Sequence, residues 1–111
     1  MNPYIDEAIK LFHEGDYFMA HETLEEHWIE APETDRDFLQ GLIHLAVGFH
    51  HHVRANVVGA RLQFSKAAVR LKSYPASYEG IDVQGVRSFL DSASTDLDAG
   101  RKLVPPNLRA G

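Results

Sequence analysis

The run His21-Glu22-Thr23-Leu24-Glu25-Glu26-His27-Trp28 gathers two imidazoles, three carboxylates and the only tryptophan of the chain into eight residues. Wound as an α-helix at about 100° per residue, it turns Tyr17, Leu24, Trp28 and Ile29, with Phe18, toward one face. His21 falls in the middle of that face, and Glu25, four residues on, lies beside it. Glu22 sits on the border, while Glu26 and His27 turn to solvent. The expectation is a helix whose apolar stripe holds His21, Glu25 and Trp28 largely buried. An imidazole and a carboxylate buried without partners cost several kcal/mol, so the fold must supply them. Two chemistries would do so. A closed hydrogen-bonded network would fix helix packing, and an open site would hold a small ligand or a divalent metal.

A second helix could bring further groups. His50 would complete a metal-binding set with His21 and Glu25, and Gln40 would add an amide. Glu22 would then stand free as a general base, the arrangement of a small metal-dependent hydrolase. Established motifs are incomplete. The zinc-protease pattern H-E-x-x-H fails because Glu25 follows His21 at the required spacing and His27 points away. The Glu-x-x-His pairs of di-metal bundles fail because Phe18, Gly41, Leu24 and Val47 precede His21, His44, His27 and His50. In His50-His51-His52 successive side chains diverge by about 100°, and His50 alone borders an apolar stripe. The serines have no nucleophile-elbow context. The leading reading is a non-enzymatic module that binds a protein partner or small ligand, with the hydrolase as the alternative and a divalent metal as the one cofactor compatible with either.

Five helices must position these groups, at about residues 3–14, 17–31, 35–54, 57–73 and 83–103. Asn2 caps the first, Pro3 occupies its opening position and Gly15 ends it. Asp16 can cap the second at once, so the first two helices should form an antiparallel hairpin. Pro32 ends the second, and Thr34 or Asp35 opens the third. Its stripe of Phe38, Leu42, Leu45, Phe49 and Val53, widened by Leu39, Ile43 and Ala46, marks a central helix. Gly41 and Gly48 share another side, where they would admit a close neighbour. Asn56 and Asp82 cap the fourth and fifth helices, Ser73 to Gly80 is a loop, and 104–111 should be a loosely ordered tail. No run alternates as a strand would. The expected fold is an all-α bundle of about five helices in a single domain spanning 1–111.

The chain has 111 residues, enough for one core, and no cysteine, which excludes disulfides, zinc-thiolate sites and thiol catalysis. The first residues lack the basic and apolar regions of a signal peptide, and no apolar run approaches the length of a membrane span, so a cytoplasmic protein is expected. The net charge of −5 hides an asymmetry: residues 1–37 hold eleven acids and two bases, residues 38–72 five bases and no acid. Those bases are scattered without an aromatic platform, so nucleic acid is not an expected partner. Composition leaves a homo-oligomer open.

Gly15-Asp16-Tyr17-Phe18-x-Ala20-His21-Glu22-x-Leu24-Glu25-x-x-Trp28 resembles the opening motif of small bacterial and archaeal proteins grouped as "domain of unknown function 309". Phe38-Leu39-Gln40-Gly41-Leu42-Ile43-x-Leu45-Ala46, His50, Asn56-x-x-Gly59-Ala60 and Tyr78-x-Gly80-Ile81-Asp82-Val83 continue the likeness. It implies a compact multihelical fold and a shared site at His21, Glu22, Glu25 and Trp28, without implying a reaction. Gly15-Asp16-Tyr17-x-x-Ala20 also resembles a tetratricopeptide helix pair, but no second copy follows at that repeat's period.

Overall fold

In the computed structural model, which describes residues 2–110, α1 (Pro3–His13) begins where Asn2 turns its side-chain oxygen to the backbone N–H groups of Tyr4 and Ile5. The same device starts three more helices. Asp16 caps α2 (Tyr17–Glu30), Asn56 caps α4 (Val57–Leu71), and Asp82 caps α5 (Val83–Asp98), each accepting from the N–H three residues on. The expectation for α3 is shifted by one to two residues. It runs Glu33–Val53 without a side-chain cap, because Pro32 itself supplies the extended entry and Glu33 and Asp35 place negative charge in the first turn. Gly15, at φ +84°, makes the left-handed step that lets α1 stop at His13 and α2 begin at Tyr17.

Successive helices pack on one another, and their common centre is aromatic. The ring of Phe49, on α3, meets Phe12 of α1 at 5.5 Å, Tyr17 of α2 at 5.3 Å, Phe64 of α4 at 5.3 Å and Phe89 of α5 at 5.1 Å between centroids. Burial in this cluster pushes the Tyr17 phenol pKa up. The two α3 glycines do what their shared side requires. A Cβ at Gly48 would lie 2.4 Å from the Phe64 ring, and one at Gly41 2.5 Å from Leu71, so α4 closes on α3 only because both positions lack a side chain. Gly48→Ala should therefore destabilise the fold by about 1–3 kcal/mol, although alanine is the better helix former. Urea midpoints of the two proteins test the sign.

Two expectations are overturned beyond α4. The segment read as loop, Ser73 to Gly80, holds the first strand and the turn of a small antiparallel pair, β1 (Ser77–Tyr78) and β2 (Ile81–Asp82), turned by Glu79 and Gly80, both at positive φ. Two-residue strands are too short to show alternation. The second correction concerns the C-terminus. The last helix ends at Asp98 and not near 103, and the residues after it dock back on the fold. Leu103 and Leu108 are buried, the Asp82 N–H donates to the Leu108 carbonyl at 2.8 Å, and Ala110 N–H donates to Gly80 at 3.0 Å. The tail is also held by imidazoles: Leu103 N–H donates to His52 Nε2 and Leu108 N–H to His13 Nε2, each at 3.1 Å.

The hairpin is tied to α3 by two tyrosines. Tyr74 donates its hydroxyl to the Thr34 carbonyl at 2.7 Å, and Tyr78 donates to the Asp35 carboxylate. That bond, with burial and nearby negative charge, pushes the Tyr78 pKa up to about 12. The folded state thus holds this proton more tightly than the unfolded chain. Its contribution to stability is whole below about pH 10 and is lost as pH rises through about 12. In an ultraviolet titration the last tyrosine to ionise should be Tyr78, and Tyr78→Phe should remove that step.

Candidate functional site

The buried side of α2 is made by Tyr17, Ala20 and Leu24, with Ala31 just past its end, and Trp28 packs partly buried against the same core. This stripe is rotated from the expected one. Phe18 and Ile29, which helped to define the expected face, are 48 % and 70 % exposed. The reason is size: Ala20 and Ala31 weigh little in an apolar pattern, yet small side chains are what allow a neighbouring helix to approach. The rotation carries His21 from the middle of the buried face to its margin, with 18 % of its side chain exposed, and leaves half of Glu25 in solvent. Glu26 is exposed as expected. His27 is not: its Nε2 meets the Asn2 side-chain amide at 2.8 Å, and its ring stacks on Tyr4 at 5.1 Å. Trp28 lies beneath the Arg36 guanidinium, 4.2 Å from the ring centroid, and its indole N–H has no partner among the described residues.

At the margin of α2 the three groups do meet. His21 Nδ1 lies 3.0 Å from the Phe18 carbonyl oxygen, which can only accept, so Nδ1 carries the proton and donates. Nε2 is thereby turned outward, 3.4 Å from Glu25 Oε1. One ligand atom from each of His21, Glu22 and Glu25 lies within 4.8 Å of the others, and this is the one such metal-capable group among the described residues. Glu22 therefore lies in the cluster. The stripe rotation also explains what is missing. Phe18 packs on both imidazoles, 5.4 Å from His21 and 5.7 Å from His50, and His50 stays outside the ligand cluster. Burial, then the positive fields of Arg54, His51 and His21, hold the His50 pKa below the usual imidazole range.

Gln40 does not reach the cluster. It lines a groove between α3 and α4 with His44, Lys66 and Arg70. There His44 Nδ1 meets Gln63 Oε1 at 2.7 Å. Burial lowers the His44 pKa, the bond to Gln63 opposes this, and Lys66 and Arg70 add to the lowering. Sequence spacing did not single out Arg36, which covers Trp28, and it placed Phe18 on the buried face rather than against both imidazoles. Both positions depend on the angle at which α2 meets α3.

The exposure of Glu25 reverses an energetic expectation. As a buried network member its removal would leave an unsatisfied donor; as half-exposed it makes one i,i+4 contact with His21. Glu25→Ala should shift stability by no more than about 0.5 kcal/mol, indistinguishable from Glu26→Ala. Matched denaturation midpoints for the two variants would bear this out.

The cluster lies in the part of the chain that comparison with known proteins identifies. The family described as "Domain of unknown function (DUF309)" matches residues 5–62, from α1 into α4, with His21, Glu22, Glu25, Trp28 and His50 all inside the match. The chain belongs to the DUF309 family. Among curated relatives, the uncharacterised protein YpuF of Bacillus subtilis (strain 168) is 44 % identical over 59 residues, covering 52 % of this chain and 34 % of YpuF. An uncharacterised protein of Aquifex aeolicus (strain VF5) is 26 % identical over 106 residues, 95 % of this chain and 31 % of that protein. The chain thus spans about a third of the length of these relatives. None of the described helices is long and apolar enough to cross a membrane.

Proposed function

We propose that this DUF309 chain is a non-enzymatic binding module of the cytoplasm that presents the α2 margin, His21, Glu22 and Glu25 beside Trp28, to a partner or small ligand. One observation carries the reading: these groups converge at the margin of α2. Glu25 is half exposed, and the described residues include no Lys or Arg paired with Glu22 or Glu25. Burial of the three groups would have favoured a packing role; the half-exposed Glu25 beside a partly exposed His21 favours contact. A cluster on an open helix surface also suits recognition better than catalysis, which gains from a water-excluded site. The helix that carries it is held by α1, which we read as its antiparallel hairpin partner. The connection of Glu14, Gly15 and Asp16 and the contact of Phe12 with Tyr17, 5.1 Å between ring centroids, support that arrangement.

Photo-crosslinking tests the proposal. A benzophenone side chain placed at exposed Ile29, one turn beyond Glu25, should yield adducts of defined mass in the protein's own host cells. Glu25→Gln should diminish those adducts, and a probe at exposed Asp91 on α5 should not give them. Equal adduct patterns from positions 29 and 91, or indifference to Glu25→Gln, would refute the assignment of this face.

A further inference from the structure

We propose that His21 Nε2 and the carboxylates of Glu22 and Glu25 form a site for a divalent first-row transition cation, open to solvent for further ligands. The proposal rests on the reading of the α2 margin as a binding face and names what it binds. Three observations carry it. First, the imidazole is oriented from behind. Its Nδ1–H is committed to the Phe18 carbonyl at 3.0 Å, which fixes the neutral ring as the tautomer whose Nε2 lone pair points outward. Metal-ligating histidines are held in this way by a backbone carbonyl.

Second, the spacing suits an ion. Ligands about 2.1 Å from a tetrahedral metal stand about 3.4 Å from one another. His21 Nε2 and Glu25 Oε1 are 3.4 Å apart, and a carboxylate oxygen of Glu22 lies within 4.8 Å of both, a distance that rotation of its flexible side chain can close. In the neutral tautomer Nε2 and the Glu25 oxygen are both acceptors, facing each other with no proton between them. A cation satisfies both lone pairs at once.

Third, the local charge is uncompensated by protein. From Asp16 to Glu30 the chain has five acids and no Lys or Arg, and none of the ion pairs among the described residues brings a Lys or Arg to Glu22 or Glu25. One nitrogen and two or more oxygens make a ligand set of mixed hardness, which suits Mn²⁺, Co²⁺ or Zn²⁺ better than the all-oxygen preference of Ca²⁺ or Mg²⁺. His50, screened by Phe18, is not a ligand.

Substoichiometric Mn²⁺ added to the untagged, ¹⁵N-labelled chain tests the assignment, because Mn²⁺ favours carboxylate-containing sites over the His50-His51-His52 tract. Paramagnetic broadening should appear first at the amides around His21 to Glu26. His21→Ala should weaken binding by about ten-fold or more. Glu22→Gln should weaken it as well, which covers the case in which the histidine variant folds poorly. His50→Gln should leave affinity unchanged. Broadening centred on His50 to His52, broadening insensitive to Glu22→Gln, or no site-specific broadening at millimolar Mn²⁺ would each overturn the proposal. Loss of the cation result with retained Ile29 adducts would remove the ion and leave the binding face; bound ion without adducts would support the site and remove the partner.

Discussion

Phe49→Ala should destabilise the protein by about 3–5 kcal/mol, a large share of the roughly 5–15 kcal/mol that holds a typical domain folded. The size follows from position as well as from volume. Phe49 is 1 % exposed, and its ring is where side chains from the other four helices, Phe12, Tyr17, Phe64 and Phe89, come together. Truncation removes a buried aromatic and leaves a cavity that no single neighbour can fill, since each is anchored to a different helix. Urea denaturation followed at two wavelengths would measure the loss, and Phe49→Leu should recover part of it by restoring volume. A cost below about 1 kcal/mol would mean that the helices are held together elsewhere.

Leu108→Ala tests the docked C-terminus. A loosely ordered tail would tolerate the change to within about 0.5 kcal/mol. Docked as observed, with Leu108 5 % exposed among Ile5, Ile9, Leu24 and Ile81, it should cost about 2–5 kcal/mol. The same docking predicts slow hydrogen exchange for the Asp82 and Ala110 amides, which donate to Leu108 and Gly80. Fast exchange at both amides together with a neutral Leu108→Ala would remove the tail from the fold. The tail matters to the candidate site because it closes over α1 and the β-hairpin, and α1 is one of the helices against which α2 sets its angle.

Much of the helical framework was legible in the sequence because its signals are local. Asn2, Asp16, Asn56 and Asp82 each bond to a backbone N–H within three residues, so chain proximity alone determines where α1, α2, α4 and α5 begin. The stripe of Phe38, Leu42, Leu45 and Phe49 was equally plain, since a helix apolar over so much of its surface has one way to satisfy it, but Val53, assigned to the same stripe, is 63 % exposed because it is the last residue of α3. Gly41 and Gly48 pointed to a close neighbour, though not to Leu71 and Phe64 as that neighbour. The pairing of His21 with Glu25 needed nothing beyond the i,i+4 geometry of one helix.

Tertiary structure decided which of these groups see water. On α2 the apolar residues are distributed ambiguously, and the large ones, Phe18 and Ile29, suggest a face that the small ones, Ala20 and Ala31, do not. Which face is buried depends on where α1 and α3 can approach, and close approach selects the small side chains. A modest rotation then moved His21 and Glu25 from core to margin and left His50 outside their cluster, while Gln40 lines the groove between α3 and α4. The tail was hidden for a related reason. His13 accepts from Leu108 across 95 residues and His52 from Leu103 across 51, and bonds between such distant positions leave no periodicity to read. Sequence determined that this chain is helical and where on it a His/Glu cluster forms; the packing of α2 against its neighbours determined that the cluster faces solvent, because burial belongs to pairs of helices and not to either one alone.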